Sequence, residues 1–212
     1  MKINKTLIGL ILLSIVGTLM VYQSLPDTIP IHWNFNGEVD NTGSKSMAFF
    51  TAVLPLLIYL LMKVAPKIDP KKASYDKHMG SYTIVAIAIT VLLIGLHWVA
   101  LIAALGYDIN MGMFVKAGVG ILFIVIGNLM PQFRHNYFVG IRMPWTLASE
   151  ENWRKTHRFG GYAFVLMGIV FFIAAFFQTE ISGFLSFGAL IIAMLAIAVY
   201  SYMEFSKERK HT

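Results

Sequence analysis

Residues Tyr82 to Leu105 read Y-T-I-V-A-I-A-I-T-V-L-L-I-G-L-H-W-V-A-L-I-A-A-L, a run without one Asp, Glu, Lys or Arg. A helix needs about 20 apolar residues to cross a hydrocarbon core of about 30 Å, and this run has that length. Inside lipid no water satisfies backbone N–H and C=O groups, so the segment must be helical. Outward from it, further apolar runs lie at Thr6 to Leu25, Met47 to Val64, Met111 to Met130, Gly161 to Phe177 and Phe184 to Met203. Together they predict an all-α, polytopic membrane protein with six transmembrane helices.

Composition agrees with this reading. Of 212 residues, 57% are hydrophobic and 13% charged, against about 45–50% and 25% in soluble domains. A soluble fold of this size cannot hide so much apolar surface. Cysteine is absent, which excludes a disulfide framework, a thiolate metal site and a cysteine nucleophile. Lys2 and Lys5 precede the first apolar run as they would in a signal peptide, but the run is long and no small-x-small cleavage site follows. It reads as an uncleaved signal anchor.

Charge gives the spans a direction. The first, third and fifth connections hold the acids Asp27, Glu38, Asp40, Asp108 and Glu180 and one base, Lys45. The other segments are basic, with Lys67, Lys71, Lys72 and Lys77 after the second span, Arg134, Arg142, Arg154, Lys155 and Arg158 after the fourth, and Lys207, Arg209 and Lys210 at the end. The positive-inside rule then places both termini on the cytoplasmic side of the cell membrane and leaves an acidic outer face. On this reading the net charge of +6 reports topology, so membrane lipids are expected partners and nucleic acid is not a direct one.

Small residues suggest close helix packing: Ala189, Ala193 and Ala196 share a face, and Gly120 and Gly127 recur at heptad spacing. Pro55 is expected to kink the second span. No internal repeat or inverted symmetry supports a two-halved transporter.

Two connections carry chemistry. The first, L-P-D-T-I-P-I-H-W-N-F-N-G-E-V-D-N-T-G-S-K from Leu25 to Lys45, is rich in Pro, Gly and Asn and predicts a series of turns. His32, Trp33, Asn34, Asn36 and Asp40 offer it an aromatic and hydrogen-bonding surface, although Trp33 and Phe35 equally suit interfacial anchors. The second runs G-N-L-M-P-Q-F-R-H-N-Y-F-V-G-I-R-M-P-W-T-L-A-S-E-E-N-W-R-K-T-H-R-F-G-G-Y from Gly127 to Tyr162. Pro131 ends the fourth span there, and Ser149 is a natural N-cap. Glu150 with Arg154 and Glu151 with Lys155 are i,i+4 pairs on a short interfacial helix or an extension of span five. Trp153 and His157 share a face that could lie along the membrane. The segment is longer than a bundle connection needs, which marks it as a candidate surface.

Within the spans, apart from Lys63 at the edge of the second, His97 and Lys116 are the ionisable residues. Lys116 lies close enough to its helix end to snorkel, and His97 can be satisfied by a neighbouring carbonyl. Glu150, Glu151 and His157, with His135, resemble parts of an acid/base set, yet no H-E-x-x-H, G-x-S-x-G or phosphate loop occurs. No catalytic residue, metal or cofactor is expected; a small transporter or membrane-embedded enzyme is the alternative.

At these two connections the sequence resembles the SdpI family of bacterial immunity proteins, whose first part matches the region called DUF1648. The resemblance rests on I-P-I-H-W-N-F-N-G-E-V-D with G-S-K in Ile29 to Lys45, and on G-N-L-M-P, N-Y-F-V-G-I-R-M-P-W-T-L and W-R-K-T-H-R-F-G-G between Gly127 and Gly161. It implies a DUF1648-like region over 1–64, a connecting part over 65–110 and an SdpI-like region over 111–212. It also implies protection from a secreted, membrane-acting sporulation-delay peptide toxin, and signalling by recruitment of a winged-helix autorepressor to the membrane. On that basis His32, Trp33, Asn34, Asn36 and Asp40 are toxin-sensing candidates. Asn128, Pro131, Asn136, Gly140, Arg142, Pro144, Trp145, Trp153 and His157 are motif positions and candidates for repressor docking.

Overall fold

Helix starts are set by side chains that accept free backbone amides. Asn4 accepts from Leu7 N at α1 (Lys5–Val21), Asn110 from Met113 N at α4 (Met111–Leu129), and Ser149 from Asn152 N at α6 (Glu150–Ala174). The computed structural model describes residues 1–34, 37–177 and 179–210. Between α1 and α2 (Met47–Ile68) stand two strands, β1 (Thr28–Trp33) and β2 (Val39–Ser44); α3 (Met79–Ala104) follows α2. A single turn, α5 (Pro144–Ala148), separates α4 from α6, and α7 (Glu180–Lys210) completes the order.

Six of these helices are long and apolar enough to cross a membrane, matching the six runs in the sequence. The protein is a multi-pass membrane protein, and large apolar side chains such as Met20, Leu61, Leu166 and Ile192 point outward, as lipid as solvent permits. The fifth span is longer than its apolar run, because Ser149 caps a helix that continues unbroken through Gly160 and Gly161, and the sixth continues past its apolar run to Lys210. The polar stretch before span five is therefore an extension of that span, and the separate short helix is α5. Helix α2 runs continuously through Pro55 and Pro66.

Helices α4 and α6 meet backbone to backbone. A Cβ on Gly120 would lie 2.7 Å from Gly168 O, and one on Gly168 2.6 Å from Gly120 O; Gly127 and Gly161 repeat the arrangement at 2.6 and 2.7 Å. The heptad glycines of α4 thus face a second heptad pair on α6, as close antiparallel packing in lipid requires. Helices α1, α2 and α3 are tied instead by a polar bridge. His97 on α3 lies 2.9 Å from Thr18 Oγ1 on α1 and 2.9 Å from Thr51 Oγ1 on α2. Thr18 spends its hydroxyl proton on Ser14 O at 2.8 Å, which makes His97 the donor to it through Nε2. Two hydroxyls, rather than a carbonyl, satisfy this histidine.

The first connection departs from the expected series of turns. Strands β1 and β2 pair antiparallel from Thr28↔Ser44 to Trp33↔Val39, with irregular register around His32. β-branched and aromatic residues at Thr28, Ile29, Ile31, Trp33 and Val39 supply strand character that the Pro and Gly content concealed. Pro30, which has no N–H to donate to the ladder, is tolerated because it stands beside the irregularity. Ile29 anchors the hairpin among Leu25, Ala48, Leu101 and Ala104.

Candidate functional sites at the two ends of the bundle

The hairpin closes one end. Asn34 N donates to Glu38 O at 2.9 Å and Glu38 N to Asn34 Oδ1 at 3.0 Å, while Gly37 adopts φ +82°, a left-handed conformation suited to glycine. A Cβ on Gly37 would come within 3.2 Å of Gly112 N, so the hairpin rests on the start of α4. His32 Nδ1 donates to Asp40 Oδ1 at 2.5 Å, bringing two of the candidates together on an exposed face. Trp33 and Asn34 are half-buried; Asn36 lies outside the described residues. Lys45 pairs with Asp27 at 3.0 Å and covers the Tyr22 ring.

Between Ile31–Asn34 of the hairpin and helices α4, α6 and α7 opens a groove of about 400 Å³. Met111, Val115, Phe171 and Phe187 give it an apolar wall, and Lys116 stands within it. The ammonium donates to Ser182 Oγ at 2.8 Å and Phe177 O at 3.3 Å.

At the opposite, basic end the long segment after α4 is folded into the protein. Asn136 is fully buried: Nδ2 donates to Arg134 O and Val139 O, and Oδ1 accepts from Phe138 N, Val139 N and the Tyr75 hydroxyl. Buried Asp69, which follows α2, accepts from Lys71 N and Tyr137 N at 2.7 and 2.9 Å and shares the single Tyr75 hydroxyl proton, at 3.1 Å, with Asn136 Oδ1. Tyr75 joins the two, and its burial and the Asp69 charge push the hydroxyl pKa well above its ordinary value.

His157 stacks under Trp153 with ring centroids 4.0 Å apart. Its Nδ1 donates to Trp153 O at 2.8 Å, and Nε2 accepts from Ile141 N at 3.0 Å. Both nitrogens are spent, so His157 is not free to act with Glu150 and Glu151. Gly140, at φ +113°, makes room, since a Cβ there would stand 2.2 Å from His157 Nε2. Trp153 Nε1 donates to Phe133 O at 2.9 Å. Trp145 Nε1 donates to Ser201 Oγ, and Asn152 Nδ2 to Ser201 O, each at 2.9 Å, which fastens α5 and α6 to α7.

Trp153 and His157 therefore face inward, not along the membrane. Of the two expected pairs, Glu151 with Lys155 forms at 3.6 Å, but Glu151 also takes Arg154, at 2.7 Å, and Glu150 turns to Lys71 at 3.7 Å. Asn128, Pro131, Gly140, Arg142 and Pro144 are exposed and Trp145 half-buried. Arg142 donates to Tyr137 O at 2.6 Å. A polar cleft of about 650 Å³ lies beside them, with Lys77, Arg134 and Arg154 on its walls. His135, at its base, accepts from Lys71 Nζ at 2.7 Å; burial first, then Lys71, lowers its pKa. His78, buried nearby, accepts from Arg134 N at 3.3 Å and is lowered mainly by burial.

Asp69, Tyr75, Thr146 and Asn152 were not among the sequence candidates. Asp69, one of only two acids with Asp76 in a lysine-rich connection, is the available signal. No group of His, Asp and Glu among the described residues is arranged to hold a metal.

The pattern describing the SdpI/YfhL protein family matches residues 132–201, and that of a domain of unknown function, DUF1648, matches residues 9–58. The chain is 30% identical over 207 residues to the immunity protein SdpI of Bacillus subtilis (strain 168), covering 98% of each chain. No solved structure matches.

Proposed function

The chain belongs to the SdpI family, and from that premise we propose that it is a membrane immunity protein that protects the cell from a secreted, membrane-acting peptide toxin of the sporulation-delay kind. The observation that carries this reading is the extent of the similarity: at 98% of both chains it takes in every span, the hairpin and the basic segment together. With both termini cytoplasmic, as the distribution of Lys and Arg favours, the hairpin and its groove meet the toxin from outside. His32, Trp33, Asn34, Asn36 and Asp40 are then the contact region. The basic end faces the cytoplasm, where exposed Arg142 and Pro144 with half-buried Trp145 offer a surface for a winged-helix repressor. Asn136, Trp153 and His157 serve that surface by holding its shape.

The test is a challenge of toxin-sensitive cells expressing the chain. Survival should rise with the protein in the membrane, and a variant lacking residues 29–45 should give none. Unchanged killing at confirmed membrane levels refutes immunity. Repressor recruitment is tested separately by the membrane localisation of a fluorescent repressor when toxin is added, with Arg142→Ala and Trp145→Ala expected to release it.

A further inference from the structure

Lys116 carries a charge that the protein leaves unneutralised. Helix α4 begins at Met111, so the residue sits in its second turn, inside a segment that crosses the membrane. Its ammonium is half-buried and donates to two neutral oxygens, Ser182 Oγ and Phe177 O. Ser182 shares its single proton between Phe177 O and Thr179 O. Among the described residues no carboxylate pairs with Lys116, although acids are present at this end. Asp27 is taken by Lys45 and Asp40 by His32, and Glu180 in the first turn of α7 forms no ion pair with it.

A cation in a low-dielectric setting without a counter-ion is costly and marks a site. Its surroundings raise that cost. The first turns of both α4 and α7 border the groove, through Met111 and Gly112 on one and Gly183 on the other, and helix N-termini present positive potential. An anion placed here is favoured by the ammonium and by both helix ends.

The rest of the groove narrows the anion's class. One wall is apolar, through Val115, Phe171 and Phe187; the other is the hairpin, where Trp33 and the His32 imidazole line the groove. An acyl chain would use only the first wall. An apolar peptide segment uses both, burying side chains against α4, α6 and α7 while its backbone lies against the hairpin. Such a segment, free of acidic side chains, still has one unavoidable anion, its terminal carboxylate.

We propose that this groove takes the apolar C-terminal segment of the toxin peptide, with its terminal carboxylate on Lys116 Nζ. The inference rests on the immunity reading above and adds to it a polarity of binding and a recognising residue. Lys116 is then a receptor for the ligand's charge rather than a side chain reaching for the lipid surface.

The experiment uses full-length protein in phosphatidylcholine nanodiscs and two forms of the sporulation-delay peptide, identical except that one ends in a free carboxylate and the other in a carboxamide. Binding is read by fluorescence anisotropy for the wild type, Lys116→Met and Lys116→Arg. A charge-assisted contact predicts that the acid binds the wild type about 10- to 150-fold more tightly than the amide. Lys116→Met should erase that difference, and Lys116→Arg should keep most of it, which separates lost charge from lost fold. Equal binding of the two peptides to a wild type that protects cells overturns this inference and leaves immunity standing. A wild type that neither binds nor protects overturns both. If Lys116→Met changes only the response to added phosphatidylglycerol, the cation serves a lipid phosphate and the inference fails.

Discussion

Replacing Gly168 by Ala puts a methyl group where α6 touches α4. The new carbon would lie 2.6 Å from Gly120 O and 2.9 Å from Ile124 N, both backbone atoms that no rotamer change can move. Restoring ordinary contact at 3.4 Å needs the helices to part by about 0.8 Å there. A gap of that size forfeits roughly a quarter to a half of each affected dispersion contact. It would be felt by the edge-to-face stacking of Phe123 with Phe164 and Phe171, at 5.6 and 5.4 Å. Overpacking of this kind costs about 1–3 kcal/mol, and the better helix propensity of Ala returns at most about 1 kcal/mol. A net loss of about 1–2 kcal/mol is expected. Gly95→Ala is the control, because nothing lies within 4 Å of its added carbon; it should be neutral or slightly stabilising. The assay is unfolding of the purified protein in mixed micelles titrated with dodecyl sulfate, followed by tryptophan fluorescence. Because Gly120→Ala demands the same separation, the double variant should lose less than the sum of the singles. A Gly168→Ala protein as stable as Gly95→Ala, or strict additivity with Gly120→Ala, refutes backbone contact at this seam.

The basic end yields three further tests. Gly140→Ala combines a left-handed backbone with a clash against His157 Nε2, at φ +113° and 2.2 Å, and should cost about 2–5 kcal/mol in the same titration. Asn136→Ala strips an acceptor from Phe138 N, Val139 N and Tyr75; limited proteolysis should cut residues 131–149 sooner, and unchanged protection of that segment would count against a holding role for Asn136. His78 and His135 both have folded pKa values below the ordinary 6.5, so the unfolded chain binds more protons just below that pH. Stability is then full above pH 6.5 and falls as the pH drops through it. Thermal melts should shift downward on acidification, and His135→Asn should flatten the slope; a melt independent of pH for the wild type would refute buried neutral histidines here.

How much of this was legible varied with the range of the contacts. The spans were plain because lipid demands long apolar helices whatever the tertiary structure, and Ser149 was plain because capping is local. The hairpin was not, because Pro30, Gly37 and Gly43 are turn formers that the alternation of Ile29, Ile31 and Trp33 overrides only once Ile29 has a core to enter. Gly120 and Gly127 stood out as a pair, while their partners Gly161 and Gly168 emerge only when α6 is laid antiparallel. Tyr75, Asp69 and Asn136 come from connections far apart in sequence, and no spacing announces that they meet.

That distribution changes where function should be sought. Asn136, Trp153 and His157 are the most conspicuous residues of the second connection, and they have the least left to offer a partner. Every polar atom of Asn136 and His157 is committed inside the protein, as is the Trp153 indole N–H. Their substitution would act on docking through the loop they hold. Lys116 is the reverse case: snorkelling accounts for it in the sequence, yet in the fold it reaches two neutral oxygens and an apolar groove. Unspent charge beside a cavity is a stronger mark of a ligand than a motif whose hydrogen bonds are already made. Loss of toxin binding in Lys116→Met with its unfolding transition intact would fit this account, whereas equal effects of Lys116→Met and Asn136→Ala on fold and binding alike would undo it.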